Sequence, residues 1–438
     1  MTEGIPPTAP GSGLGGEEPP HQEPGGYAPS VAERFDVFSR AGGVVTPIIT
    51  TLLAFFIGGL VVLITTGHNP LSTYRAIFDG TGLSWFFHTG SYHIDIPFTN
   101  HHVWFPWNTN SFQSKDAYAL QQTLLLTTTL IFTGLAVAFA FRCGLFNIGG
   151  QGQYIAGSLA AVWVGSSFAK LAHFPHVLLA VGAAALAGAL LAGIAGLLKA
   201  TVGAHEVVVT IMLNWIMFWG GQWALGEGGP LNHNVATSTS ADVTSSGKLW
   251  TFWGLGILQG AHIGLFIGIA ALIVYALILN RTTLGYEVRA VGFNPDAARY
   301  GGINVGRSYF LAMAIAGTFA GLGGAMDVLG WEYRVAASTI SLSQIGFLGI
   351  AVALLGRNTA VGTGLAALLF GALLTGTSQR NLDPSVFKPE LASNLTLLIQ
   401  GLVVLFVGAD LLILYAWNAR KKLKPKRRRP APEPEAAG

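Results

Sequence analysis

Residues 44–66 form an apolar stretch without a single charged side chain, and stretches of that kind recur along most of the chain. Further ones fall near 120–141, 146–168, 177–198, 207–225, 263–279, 309–328, 345–355, 361–377 and 395–415. A helix of about 20 apolar residues crosses the hydrocarbon layer of a bilayer. In lipid a helix pairs its own backbone N–H and C=O groups, which an open sheet or irregular chain cannot do. The pattern therefore predicts an all-α integral membrane protein with about ten crossings, some of them short or broken. Only 10% of residues are charged and 58 of 438 are Gly, as closely packed membrane helices require. A soluble domain would carry more charge. With one cysteine, Cys143, the chain can form neither an internal disulfide nor a cysteine metal cage.

Residues 1–42, rich in Pro, Gly, Glu and Ser, are expected to be disordered, and they hold no apolar core of a signal peptide. The transmembrane domain is then 43–416, followed by a basic tail, 417–438. Ten crossings place both termini on one side. The tail, with Arg420, Lys421, Lys422, Lys424, Lys426 and Arg427 to Arg429, assigns that side to the cytoplasm and the chain to the cell membrane. Anchoring on anionic lipid explains the tail better than nucleic-acid binding does. Loops 67–117 and 226–262 would be external. The first holds His68, His88, His93, His101 and His102 among Trp85, Phe86, Phe87, Trp104, Phe105 and Trp107. It has no His-x-x-x-His pair or matching carboxylate, so a solvated or interfacial loop is expected and no metal site is assigned. The second is rich in Ser, Thr, Asn and Gly and gives no further reading.

Between two apolar stretches lies the polar run 281–307, with Arg281, Arg289, Arg299 and Arg307. Its arginines predict a cytoplasmic loop. Asn294 and Pro295 form a helix start, Asn as N-cap and Pro in the first turn, with Asp296 placed to suit the helix dipole. Asp296-Ala-Ala-Arg-Tyr-Gly-Gly302 resembles the EAA-x-x-x-G coupling signature of ATP-binding-cassette importer permeases, with Asp where the signature has Glu. Phe146-Asn-Ile-Gly-Gly-Gln-Gly-Gln153, Ala204-His-Glu-Val-Val-Val-Thr-Ile-Met-Leu-Asn-Trp215 and the run 346–356 are similar to the permeases that serve simple sugars, nucleosides and branched-chain amino acids. The nearest likeness is to the nucleoside and simple-sugar branch, over about 43–416.

That resemblance implies a type II permease fold. It also implies a second permease chain, often a different one, two cytoplasmic ATPase subunits that hold the ATP and Mg, and an external substrate-binding lipoprotein. Coupling to the ATPase would fall to Asp296, Ala297, Ala298, Arg299 and Gly302. A branched-chain amino acid permease, a proton-coupled secondary transporter and a polytopic membrane enzyme are the alternatives. The chain has no phosphate-binding loop, no His-Glu-x-x-His and no Gly-x-Ser-x-Gly, so it is expected to carry no ATPase site and no cofactor of its own.

Candidate path residues lie where polar groups interrupt apolar stretches. Asn147, Gln151 and Gln153 stand among glycines at the opening of one span, where broken helix is tolerated beside protein or a cavity. Neutral amides suit passage of an uncharged cargo, and they equally suit interhelical hydrogen bonding. Glu206 and Asn214 are about two turns apart, and Glu206 is either a gate residue or a paired helix-start carboxylate. Trp215, Trp219 and Trp223 form a stripe for stacking cargo or facing lipid. Residues 316–325 repeat small side chains and predict a packed seam. Asp327, Glu332 and Arg334 are expected to pair with one another at the external surface, receipt of a loaded binding protein being the alternative. The short 345–355 span is expected to be a broken or partly re-entrant helix, and Asp410 to reach the inner interface or pair with a tail arginine.

Overall fold

The computed structural model describes residues 48, 51–64, 69–84, 93–95, 102–104, 115–253, 260–378, 397–399, 401–402 and 405. The readings of 1–42, the tail, Asp410, and most of 67–117 and 395–415 lie outside them. In chain order the helices are α1 (Thr51–Ile64), α2 (Pro70–Gly80), α3 (Lys115–Arg142), α4 (Gly150–Ser167), α5 (His173–Val202) and α6 (Glu206–Leu225). Then come α7 (Gly264–Arg281), α8 (Thr283–Phe293), α9 (Pro295–Tyr300), α10 (Val305–Asp327), α11 (Ala337–Leu342), α12 (Ile345–Leu355) and α13 (Ala360–Gly376). Among the described residues six segments are long and apolar enough to cross a membrane: Ala117–Arg142, His173–Val202, Glu206–Leu225, Gly264–Arg281, Val305–Glu332 and Ala337–Leu355. Helices fall on each of the first nine predicted spans, and α1 and α13 are shorter apolar ones. Two small hairpins, β1 (His93–Asp95) with β2 (His102–Trp104) and β3 (Thr251–Trp253) with β4 (Ala261–His262), accompany the helices.

Helix α3 is the axis. It is apolar on every face, and Leu130, Phe132, Leu135 and Phe139 are fully buried, as a helix ringed by other helices must be. Helices α5, α6 and α7 instead turn Leu186, Leu190, Trp219 and Ile273 outward, the apolar perimeter of a membrane protein.

The predicted seam joins α4, α5 and α10. A Cβ on Gly317 would meet the carbonyl of Gly188, one on Gly321 would meet that of Ala184, and one on Gly157 would meet the backbone of Gly321. These helices approach backbone to backbone, so dispersion contacts accumulate where a larger residue would hold them apart.

At the end of α10 the helix widens into a π turn, Val328–Glu332, which Tyr333 closes with φ of 57°. The 226–262 loop laces over this end. Ser240 N–H donates to Val335 O at 2.9 Å, Val243 N–H to Tyr333 O at 2.7 Å and Leu249 N–H to Leu329 O at 2.8 Å. The expected surface cluster is corrected here: Asp327 is only 3% exposed, and Arg334 pairs with Asp242 at 3.4 Å instead. Sequence proximity suggested a partnership, but Thr129, Tyr154 and Trp331 donate to Asp327 and hold it inward.

Gly321→Leu should lower the thermal midpoint by a few °C, since forcing a side chain into a closed seam costs about 1–3 kcal/mol. Gly182→Leu on the same helix bundle, where an added Cβ meets nothing within 4 Å, should leave it unchanged. Thermal unfolding of the two variants in detergent measures the difference.

Candidate functional site

Helix α9 begins as its Asn-Pro pair predicts. Asn294 Oδ1 accepts from the N–H groups of Asp296 and Ala297, each at 3.0 Å, and Pro295 occupies the first turn. Ala297 is exposed, while Ala298 is 6% exposed and faces the protein's own core. Asp296 and Arg299 form an exposed pair at 3.7 Å, which water screens to a small contribution. Gly302, with φ of 82°, turns the chain into α10. Arg299, Gly302, Ile303 and Asn304 line a cleft of about 320 Å³ beside the helix. Phe293 is 91% exposed and Tyr300 95% exposed, bracketing α9. Sequence reasoning passed over both, because an aromatic residue near a helix is ordinarily assigned to the core. Together Phe293, Asp296, Ala297, Arg299 and Tyr300 make a projecting face with two unburied rings, the composition of a docking site.

This face is tied to the membrane spans through α8, which the sequence did not reveal. Thr282 Oγ1 caps it by accepting from Gly285 N–H at 3.1 Å, and Val288 and Val291 are fully buried. Gly292 sits directly on the Arg142 carbonyl, so close that a Cβ there would collide with it. The Arg142 side chain in turn donates from Nε and Nη2 to the Asn358 carbonyl at 3.0 and 2.7 Å, and Tyr275 OH donates to the same oxygen at 2.7 Å. The end of α3, α7 and the α12–α13 turn thus converge on one acceptor.

Three residues beyond Gly144 begins the amide cluster. Asn147 and Gln153 exchange two hydrogen bonds, each 2.9 Å, and Gly149 N–H donates to Asn147 Oδ1 at 3.1 Å. Asn214 reaches in from α6: its Nδ2 donates to Ile148 O at 2.9 Å and its Oδ1 accepts from Gly152 N–H at 2.8 Å. Gln151 spans to the break between α11 and α12, donating to Ser343 O and accepting from Gly346 N–H, both at 2.9 Å. The 345–355 span is itself one continuous helix, and the interruption lies just before it, at Ser343 and Gln344. All four amides are buried and hold open backbone ends of interrupted helices. Gly152 is required here, because a Cβ would lie 2.9 Å from Asn214 Oδ1.

Glu206 and Trp215 stand apart from this cluster. Glu206 Oε2 lies 2.8 Å from Lys199 Nζ across the α5–α6 turn. Trp215, Trp219 and Trp223 are each more than half exposed on the outer face of α6.

Residues 119–408 match the family model described as "Branched-chain amino acid transport system / permease component". The chain is 34% identical over 388 residues to the guanosine ABC transporter permease protein NupP of Bacillus subtilis, covering 87% of this chain and 98% of that one. It is 31% identical over 387 residues to the nucleoside ABC transporter permease protein NupB of Lactococcus lactis, covering 87% and 95%. It is 30% identical over 372 residues to the glucose ABC transporter permease protein TsgB13 of Haloferax volcanii, covering 83% and 86%. No solved structure matches the chain significantly.

Gln151→Leu strands a buried carbonyl and a buried N–H, each costing about 1–3 kcal/mol. Hydrogen–deuterium exchange at 343–348 should accelerate by about tenfold or more, while exchange in 130–140 of α3 stays protected.

Proposed function

The chain belongs to the family of branched-chain amino acid transport system permease components, and from that we propose that it works as the membrane-spanning subunit of an ATP-driven importer of nucleosides. The observation that carries the coupling half of this reading is the projecting α9 face, with Phe293 and Tyr300 exposed on either side of an Asn-capped helix. Separate ATPase subunits would bind there, on the cytoplasmic side, and supply the ATP and Mg. Asp296, Ala297, Arg299 and Gly302 shape the contact, and Ala298 anchors α9 to the membrane domain. A second permease chain, one expected to differ from this one, and an external binding lipoprotein complete the assembly.

The cargo half rests on relatives named for guanosine and nucleosides that the chain matches almost end to end. Uncharged cargo also agrees with a buried polar centre built from neutral amides rather than paired charges. A simple sugar is the second reading, favoured by the likeness to a glucose permease.

In operation, closure of the ATPases would press on α9 and α8. Gly292 would pass that displacement to Arg142 at the foot of α3, and the adjoining turn leads into Asn147 to Gln153. Through Gln151 and Asn214 the same motion would reach the α11–α12 break and α6, so that the path opens to one side at a time. Asn147, Gln151, Gln153 and Asn214 frame the path in this reading. Glu206 acts with Lys199 at its inner mouth, and Trp215 faces the second permease chain or lipid.

Replacing both Phe293 and Tyr300 with Ala should cut ATPase subunits recovered with the tagged permease by at least about tenfold, as removing aromatic anchors does at interfaces. Ala297→Arg should act in the same direction. Normal recovery would refute the docking assignment. Vesicles holding the complete importer should accumulate labelled guanosine or adenosine, with glucose failing to compete; competition by glucose alone would favour the sugar reading.

A further inference from the structure

Two carboxylates five residues apart have opposite fates at the end of α10. Asp327 is saturated: Thr129 Oγ1 and Trp331 Nε1 donate to its Oδ1, the latter at 3.0 Å, and Tyr154 OH donates to its Oδ2 at 2.6 Å. Glu332, partly buried on the π turn, has no hydrogen-bond or ion-pair partner among the described residues. It lines a recess together with Tyr154, Ser158, Thr339 and Ser343, closed on the other side by Ile340. The side-chain hydroxyls of Thr339 and Ser343 are likewise without hydrogen-bond partners among the described residues. Three polar side chains, one of them an acceptor-only carboxylate when ionised, thus border one small and largely apolar space.

Placing a carboxylate in such surroundings without a partner is costly, and arriving donors lower that cost. A carboxylate accepts two hydroxyl hydrogens at once, which is how acidic side chains hold the hydroxyls of a ribose. Thr339 and Ser343 can both donate and accept, and Ile155, Val335 and Ile340 offer apolar surface for the ring carbons. We propose that this recess is a cargo subsite, with Glu332 accepting from the vicinal 2′- and 3′-hydroxyls of a ribonucleoside and Thr339 and Ser343 completing the set. The assignment rests on the nucleoside reading above and adds the residues that read the sugar.

At about 10 Å³ the recess admits one hydroxyl-sized group in this arrangement. Seating a ribose would require displacement of one wall, α11, six residues that end at the Ser343–Gln344 break and are tied to Gln222, which donates to Ala337 O at 2.8 Å and to Ser341 Oγ at 2.7 Å. The break that Gln151 bridges adjoins this wall, and motion of the coupling segment would reach the subsite through it. Helix α10, which carries the recess at one end, starts beside the coupling helix at the other, about 35 Å away at 1.5 Å per residue.

The test uses the complete importer in vesicles and compares uptake of adenosine with that of 2′,3′-dideoxyadenosine. The binding protein contributes equally to wild type and variant, so the change in the ratio of Vmax/KM values between them isolates the permease. Glu332→Gln should shrink the preference for adenosine by about tenfold, the scale of a lost charge-assisted hydrogen bond. Thr339→Val, which preserves shape, should shrink it by about threefold, and serves alone if Glu332→Gln does not assemble. An unchanged ratio, whether or not absolute rates fall, overturns the subsite. Wild-type importer that takes up glucose and neither nucleoside overturns the cargo reading beneath it.

Discussion

Gln151 bridges two places where helices stop, and the architecture around it follows from the need to pair every backbone group that lies away from water. A membrane helix that breaks exposes carbonyls and N–H groups that lipid cannot satisfy. Here the α11–α12 break is paired by one amide side chain, Gln151, while Asn147, Gln153 and Asn214 do the same for the turn that opens α4. Amides suit the task because each offers donor and acceptor without a charge to bury. The result is a polar centre inside an apolar bundle that joins four separate segments and stays neutral.

Small residues make that centre possible. Gly152 admits Asn214, Gly346 admits the backbone of Gln151, and the Gly157, Gly188 and Gly321 crossing brings α4, α5 and α10 close enough for Tyr154 to reach Asp327. The same device recurs at the coupling segment, where Gly285 lies on the backbone at Ile278 and Leu279 and Gly292 lies on Arg142. Contacts between backbones resist compression and transmit displacement with little loss, in contrast to long flexible side chains. One such contact, Gly292 on Arg142, joins α8 to the end of α3, from which the chain runs on to Asn147.

Most of the membrane framework was legible because apolar length is a local property. The start of α9 was legible too, and the Asn69-Pro70 pair carried the same message for α2, where Asn69 Oδ1 accepts from Leu71 N–H at 2.9 Å; the aromatic richness of the surrounding loop obscured it. Helix α8 was hidden by its charged residues, Glu287 and Arg289, although Gly285, Val288 and Val291 recur at helical spacing on its buried side. The roles of Asp327 and Glu332 were not legible at all. Asp327 is fixed by Thr129 and Tyr154, which lie 198 and 173 residues away, and no local pattern reports such a meeting. The inward turn of Ala298 and the exposure of Phe293 and Tyr300 likewise depend on how α9 docks rather than on residue type.

In the proposed mechanism, displacement at α9 reaches the broken helices through the seat of Gly292 on Arg142. Its most direct measurement is cargo uptake per ATP hydrolysed by the reconstituted importer carrying Gly292→Leu, alongside recovery of the ATPase subunits. The account requires that the subunits remain bound and hydrolyse ATP while uptake per ATP collapses. Uptake per ATP equal to that of the wild type would contradict it.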